Sequence, residues 1–109
     1  MLAAVLGSNN RERVLIFLQA RGSGYAREIA AFFNTDPTPV QKQLERLENA
    51  GVICAKAVGK TVVFSFNPRY PFLRELGELL EKALSFYPEE IRRELLENRR
   101  RPRRRGKVL

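Results

Sequence analysis

The chain has 109 residues, which suits one domain. With 44% hydrophobic and 29% charged residues it has the composition of a globular protein, but its charge is uneven. All twelve acids and thirteen of the twenty bases lie in residues 1–98, leaving that body at +1. The last eleven residues carry seven bases and no acid.

This inventory excludes several classes. With no histidine and a single cysteine, Cys54, the chain cannot assemble a disulfide framework, a zinc or haem ligand set, or a nucleophile–base pair, so no cofactor and no enzymatic activity are expected. No apolar run approaches the roughly 18 residues of a membrane-crossing helix. The opening MLAAVLG lacks a cationic start and is too short for a secretory core. A cytoplasmic location without membrane contact is the expectation.

The first predicted helix covers 9–20. Ser8 or Asn9 can cap it, and Asn9-x-x-Glu12 has capping-box spacing. Val14 to Leu18 are apolar without interruption, more than one helix face holds. Either this helix is central in a small fold or its far side meets another subunit. Arg21-Gly22-Ser23-Gly24 ends it.

A second helix, about 26–33, carries the stripe Ala26, Ile29, Ala30 and Phe33. Asn34-Thr35 turns the chain, asparagine being the commonest non-glycine residue at positive φ. The third helix spans 36–50, with Asp36 at the N-cap and Pro37 at the first helical position. Pro39 is tolerated in that first turn, and Val40, Leu44 and Leu47 form the inner stripe.

A hairpin follows, VICAKAV and TVVFSF joined by Gly59-Lys60, which suits a type II′ turn. Val62, Phe64 and Phe66 alternate along the second strand, and Cys54 is expected to pack as a small apolar side chain. After Asn67-Pro68-Arg69-Tyr70-Pro71 a helix over 72–86 presents a broad apolar face, and a last helix starts at Pro88 with Ile91 and Leu95 as anchors. Residues 99–109 are expected to be disordered alone.

Helix, short turn, helix and hairpin in that order make a winged helix-turn-helix, mainly α with a small β-hairpin. Such a turn allows the later helix to enter a DNA major groove. Opposite the Val40/Leu44/Leu47 stripe lie Thr38, Lys42, Glu45 and Asn49, flanked by Gln41 and Arg46. Thr38, Gln41 and Lys42, near the leading end, are best placed for base edges, lysine suiting guanine and glutamine adenine. Arg46 suits a phosphate. The two most apolar helices, 9–20 and 72–86, are the expected homodimer contact. In the tail, Arg101, Arg103, Arg104 and Arg105 suit phosphates or a narrow minor groove, though RNA or an acidic protein would attract the same charge. Gly59-Lys60-Thr61 matches the end of a phosphate-binding loop, but Cys54 stands where that motif needs glycine.

Residues 8–74 resemble the winged helix-turn-helix domains of arsenic-repressor-like (ArsR-like) transcriptional regulators. YAREIA, VQKQLERLENAGV, the GKT wing tip and NPRYPFLREL carry the likeness. It is especially similar to a subgroup some of whose members carry this domain beside a nucleotidyltransferase. The resemblance implies sequence-specific binding of double-stranded DNA, usually as a homodimer formed through terminal helices. It puts Thr38, Gln41 and Lys42 where such families read bases and Lys60 and Thr61 at the wing tip, on backbone or minor groove. Tyr25 and Arg27 fall where a phosphate contact is common. The family's Cys and His metal-sensing clusters have no counterpart here. Thr35 replaces a usual apolar residue, and Phe32 a small or polar one. Two other readings share this frame: an RNA- or ribosome-associated winged-helix protein, and an interaction module partnering a nucleotidyltransferase.

Overall fold

The computed structural model describes residues 1–97. Within them the chain runs α1 (Ala3–Leu6), α2 (Asn9–Arg21), α3 (Ala26–Phe32), α4 (Pro37–Asn49), β1 (Ile53–Val58), β2 (Thr61–Phe66), α5 (Leu73–Ser85) and α6 (Glu89–Glu97). This is a winged helix-turn-helix: α3 and α4 form the two-helix unit and β1–β2 the wing. The four-residue α1 is an addition to the predicted elements. Arg101, Arg103, Arg104 and Arg105 lie outside the described residues.

At the start of α2, Ser8 takes the cap, its hydroxyl accepting the Arg11 N–H at 3.0 Å. That choice moves Glu12 one position past capping-box register, so the expected Asn9–Glu12 box does not form. Glu12 turns inward instead, accepting hydrogen bonds from the Leu2 N–H at 2.7 Å and the Tyr87 hydroxyl at 2.6 Å. Burial pushes its carboxyl pKa up, but these donors outweigh burial and hold it below the usual carboxylate range. Burial and the Glu12 charge push the Tyr87 phenol well above its ordinary value.

The apolar run of α2 settles the alternative left open by the sequence. Val14, Leu15, Ile16, Phe17 and Leu18 are at most 2% exposed, because α1, α3, α4, α5, α6 and β2 pack around this one helix. The whole apolar run is spent inside the subunit, and the half-buried positions of the helix, Asn10, Arg11, Arg13 and Gln19, are polar. The expectation that α2 offers a surface to a second copy is therefore corrected.

The turn from α3 to α4 uses Asn34 at φ +53°, and the Thr35 N–H returns to the Ala30 carbonyl at 2.9 Å. Asp36 has the extended backbone of an N-cap, yet its side chain makes no capping bond. Pro39, at the third helical position, removes one of the two N–H donors such a cap normally satisfies. Val40, Leu44 and Leu47 bury the inner side of α4. Gln43 is also buried, its side-chain oxygen accepting the Arg11 Nε–H at 2.9 Å.

In the wing, Val58 pairs with Thr61, so Gly59 and Lys60 alone make the turn. Gly59 has φ +62° and Lys60 has no positive φ, which excludes type I′ and agrees with type II′. Gly24 anchors the wing through two backbone bonds with Phe64, at 3.0 and 2.8 Å. A Cβ there would stand 2.7 Å from the Phe17 ring, so close approach, not φ, demands glycine. One expectation fails at this hairpin. Cys54 is exposed, as is Val62 at 47%, because the wing meets the core through Ile53, Phe64 and the partly buried Phe66.

Leu80, Ala83 and Leu84 seat α5 on α2, whereas Leu79 and Phe86 stay exposed. Of the two expected α6 anchors, Leu95 is fully buried and Ile91 is exposed. The missing grip comes from Arg21, which the sequence reading spent on a loop. Its guanidinium is buried and donates to the Leu95 carbonyl at 3.2 Å and the Glu94 carbonyl at 3.3 Å. Both carbonyls belong to the last described turn of α6, so the guanidinium ties that turn to the end of α2. The same group lies over the Phe17 and Phe32 rings, at 4.7 and 5.2 Å, and pairs with Glu28 at 3.9 Å. Phe32 is thus covered from within its own subunit.

Candidate nucleic-acid interface

Tyr25 stands in extended backbone at the head of α3, its N–H directed to the Glu28 carboxylate at 3.4 Å. Arg27 follows in the first turn and is exposed. Gln41 reaches out from the second turn of α4, half-buried, while the wing turn brings Lys60 and Thr61 across from it. These five, with Ala26 and Val62, line one cleft of about 420 Å³. Two of the lining residues are cationic and none is acidic, while the Glu28 and Glu45 carboxylates stand behind Tyr25 and Gln41. A second, more apolar hollow of about 400 Å³ lies against Tyr25, Val58, Thr61 and Val63.

Outside the cleft, Thr38, Lys42 and Arg46 are exposed along α4, as are Glu45 and Asn49. The structure thus gathers Tyr25, Arg27, Gln41, Lys60 and Thr61 around the cleft, and leaves Thr38, Lys42 and Arg46 on the adjoining open strip. The strip's reverse side, Val40, Leu44 and Leu47, is in the core. With 13 residues, α4 is roughly 20 Å long, and a B-form major groove about 12 Å wide admits such a helix. Gln41 is not idle on this surface: its Nε2 donates to the Glu45 carboxylate at 3.0 Å.

Sequence reasoning missed Ala26 and Val62 as cleft walls. For Val62 a signal existed, since an apolar side chain two positions from a wing tip is too far out to reach a core. The Arg11–Gln43 bond was also missed, although a glutamine beside the Val40/Leu44 stripe needs a partner when buried.

A second exposed feature lies on the opposite kind of surface. Met1, Leu2, Leu79, Lys82, Ala83 and Phe86 border an apolar groove of about 200 Å³ between the α1 region and α5. Met1 is 65% and Phe86 68% exposed. Among the described residues no group of three or more His, Cys, Asp or Glu side chains could hold a metal ion, and no helix is long and apolar enough to cross a membrane.

No family model matches the sequence. The chain is similar to the uncharacterized protein MJ1082 of Methanocaldococcus jannaschii, 29% identical over 94 residues that cover 85% of this chain and 78% of that protein. Among solved structures, it resembles AntR, an antimony-specific transcriptional repressor, with a TM-score of 0.60 and 25% identity over 77% of this chain and 74% of that one. YusO from Bacillus subtilis aligns with a TM-score of 0.57 and 26% identity, covering 86% of this chain and 71% of its own. ZitR from Lactococcus lactis shares the fold at a TM-score of 0.55 and 24% identity, over 82% and 69% of the two chains.

Proposed function

We propose that this protein is a sequence-specific, double-stranded-DNA-binding transcriptional regulator. The likeness to the AntR repressor supports the regulatory role. One observation carries the DNA reading: Tyr25, Arg27, Gln41, Lys60 and Thr61, from three separate elements, converge on one cation-lined cleft beside the bare strip of α4. In this reading Thr38, Gln41 and Lys42 meet base edges in the major groove, and Arg46 meets a phosphate. Tyr25 and Arg27 hold the backbone on one side of α4. Lys60 and Thr61 hold it, or the minor groove, on the other. The seven bases after residue 98, including Arg101, Arg103, Arg104 and Arg105, add attraction that carries little sequence information.

The regulator works as a homodimer, so that two copies of α4 meet successive major-groove faces of one site. Because α2 is enclosed, the contact belongs to the α1 and α5 flank, where Met1, Leu79 and Phe86 are exposed beside the apolar groove.

The test is to select sites from duplex fragments with the full chain, then titrate the selected site over a range of salt. The Gln41→Ala/Lys42→Ala double variant should lose site preference while retaining unspecific attraction. Removing residues 99–109 should reduce the salt slope by about six, at roughly 0.9 per neutralised phosphate. Equal binding of unrelated duplexes by every variant, or preference for structured RNA, overturns the proposal. A monomeric mass in solution with and without the site removes the dimer.

A further inference from the structure

We propose that two copies of this chain pair through antiparallel α5 helices in a single register, and that Glu75 and Lys82 select it. Phe72 of each copy fills the apolar groove of the other, and Glu75 of each pairs with Lys82 of the other. This rests on the reading that the regulator is a homodimer, and adds the direction of pairing, the alignment and the residues that fix it.

Phe72, Leu76, Leu79, Ala83 and Phe86 recur alternately four and three positions apart, the spacing that keeps one edge of a helix against a partner helix. Phe72 is 62% and Leu79 39% exposed, and Phe86 is exposed with them. On one side of this seam Leu80 and Leu84 are buried in the subunit. On the other stand Glu75 and Lys82, seven positions apart and both exposed. Glu75 meets only its neighbour Arg74, at 3.3 Å between two exposed side chains, and Lys82 has no ion-pair partner among the described residues.

The seam carries a knob and a hole. Phe72 projects at its N-terminal end, and the groove of about 200 Å³ bordered by Leu79, Ala83 and Phe86 opens toward its C-terminal end. A cavity of about 150 Å³ holds a benzene ring, so the groove has room for a phenyl group. Knob and hole lie eleven positions apart, roughly 16 Å along the helix. Two such helices running antiparallel about a two-fold axis bring each knob to the other's hole, the reciprocity a symmetric pair requires. A parallel pair would set knob on knob.

The charges then separate the possible alignments. With Phe72 over Ala83 of the second copy, Leu76 meets Leu79 and Glu75 meets Lys82, each contact occurring twice. Sliding one helix by seven residues in either direction keeps apolar side chains together, but it brings Glu75 against Glu75 or Lys82 against Lys82. Only the first alignment joins opposite charges. These pairs sit at the rim of the seam, so they specify alignment more than they add affinity.

The experiment uses the full chain, with self-association measured by sedimentation equilibrium. Positions 72, 75 and 82 are exposed, so each variant should fold, which thermal unfolding checks. Glu75→Lys and Lys82→Glu each place like charges on both sides of the axis and should weaken the homodimer roughly 5- to 100-fold at low salt. The exchanged variant Glu75→Lys/Lys82→Glu should recover the parent's affinity. Mixing the two single variants, one labelled with heavy nitrogen, should give more heterodimer in native mass spectra than random pairing, because both of its ion pairs are complementary. Phe72→Ala should weaken association by roughly 30-fold or more. Single charge variants that dimerise as tightly as the parent, an exchanged variant no better than they are, or an unchanged Phe72→Ala overturns the inference while leaving the homodimer in place. A parent chain that stays monomeric with and without a selected duplex overturns the homodimer reading and this inference with it.

Discussion

Helices α2 and α4 are both thirteen residues long and pack directly on each other, yet they are used in opposite ways. In α2 the apolar residues are consecutive, and eight of its residues are buried. In α4 they recur at helical spacing, and four of its residues are buried, three of them apolar. A continuous run can only be covered by neighbours on all sides, so α2 becomes the hub and has nothing left for a partner. A spaced stripe needs one neighbour, so α4 is held from behind and keeps an open side. Burial is concentrated in α2 and the proposed recognition in α4, and this separation can be challenged by substitution.

The largest effect belongs to the hub. Phe17 is fully buried and touches Phe32, Arg21 and the approach of Gly24, so Phe17→Ala should cost about 3–5 kcal/mol in denaturant unfolding. A loss below about 1 kcal/mol would show that α2 is not the centre of the fold. An intermediate effect is expected at the end of the same helix. Arg21→Met keeps most of the apolar length but leaves the Glu94 and Leu95 carbonyls without their guanidinium, at a cost of about 1–3 kcal/mol. Amide exchange sharpens this, since protection should fall first in α6. The smallest effect should come from α4's open side. Lys42→Ala should change stability by no more than about 0.5 kcal/mol in the same unfolding experiment, because the side chain is exposed and packs on nothing that folding requires. A large loss there would mean that the strip is structural.

Much of this architecture was readable because its signals are local. The Val40/Leu44/Leu47 spacing, the Asn34 turn, the two prolines opening α4 and the Gly59-Lys60 wing tip each act within a few residues. The bases of the cleft were named residue by residue, though only folding brings Arg27 and Lys60 to one hollow. What was misread is non-local. The spacing ties Glu12 to a cap three residues away, whereas it bonds Tyr87, 75 positions on. Arg21 was assigned to a loop and instead holds carbonyls 73 and 74 positions on. Cys54 was judged by its strand, whereas its exposure is set by how far the wing stands off the body. No periodicity encodes such partners, because they depend on how the chain returns.

That return has a mechanical consequence. Glu12 bonds Tyr87 just ahead of α6 and Arg21 holds the Glu94 and Leu95 carbonyls, so α2 acts as a splint along the described part of α6. The fully buried Leu95 side chain and the Arg21 bonds thus seat the same turn of α6 on the body. Arg21 also pairs with Glu28, whose carboxylate accepts the Tyr25 N–H, so one guanidinium joins α6 to the head of α3 at the mouth of the cleft.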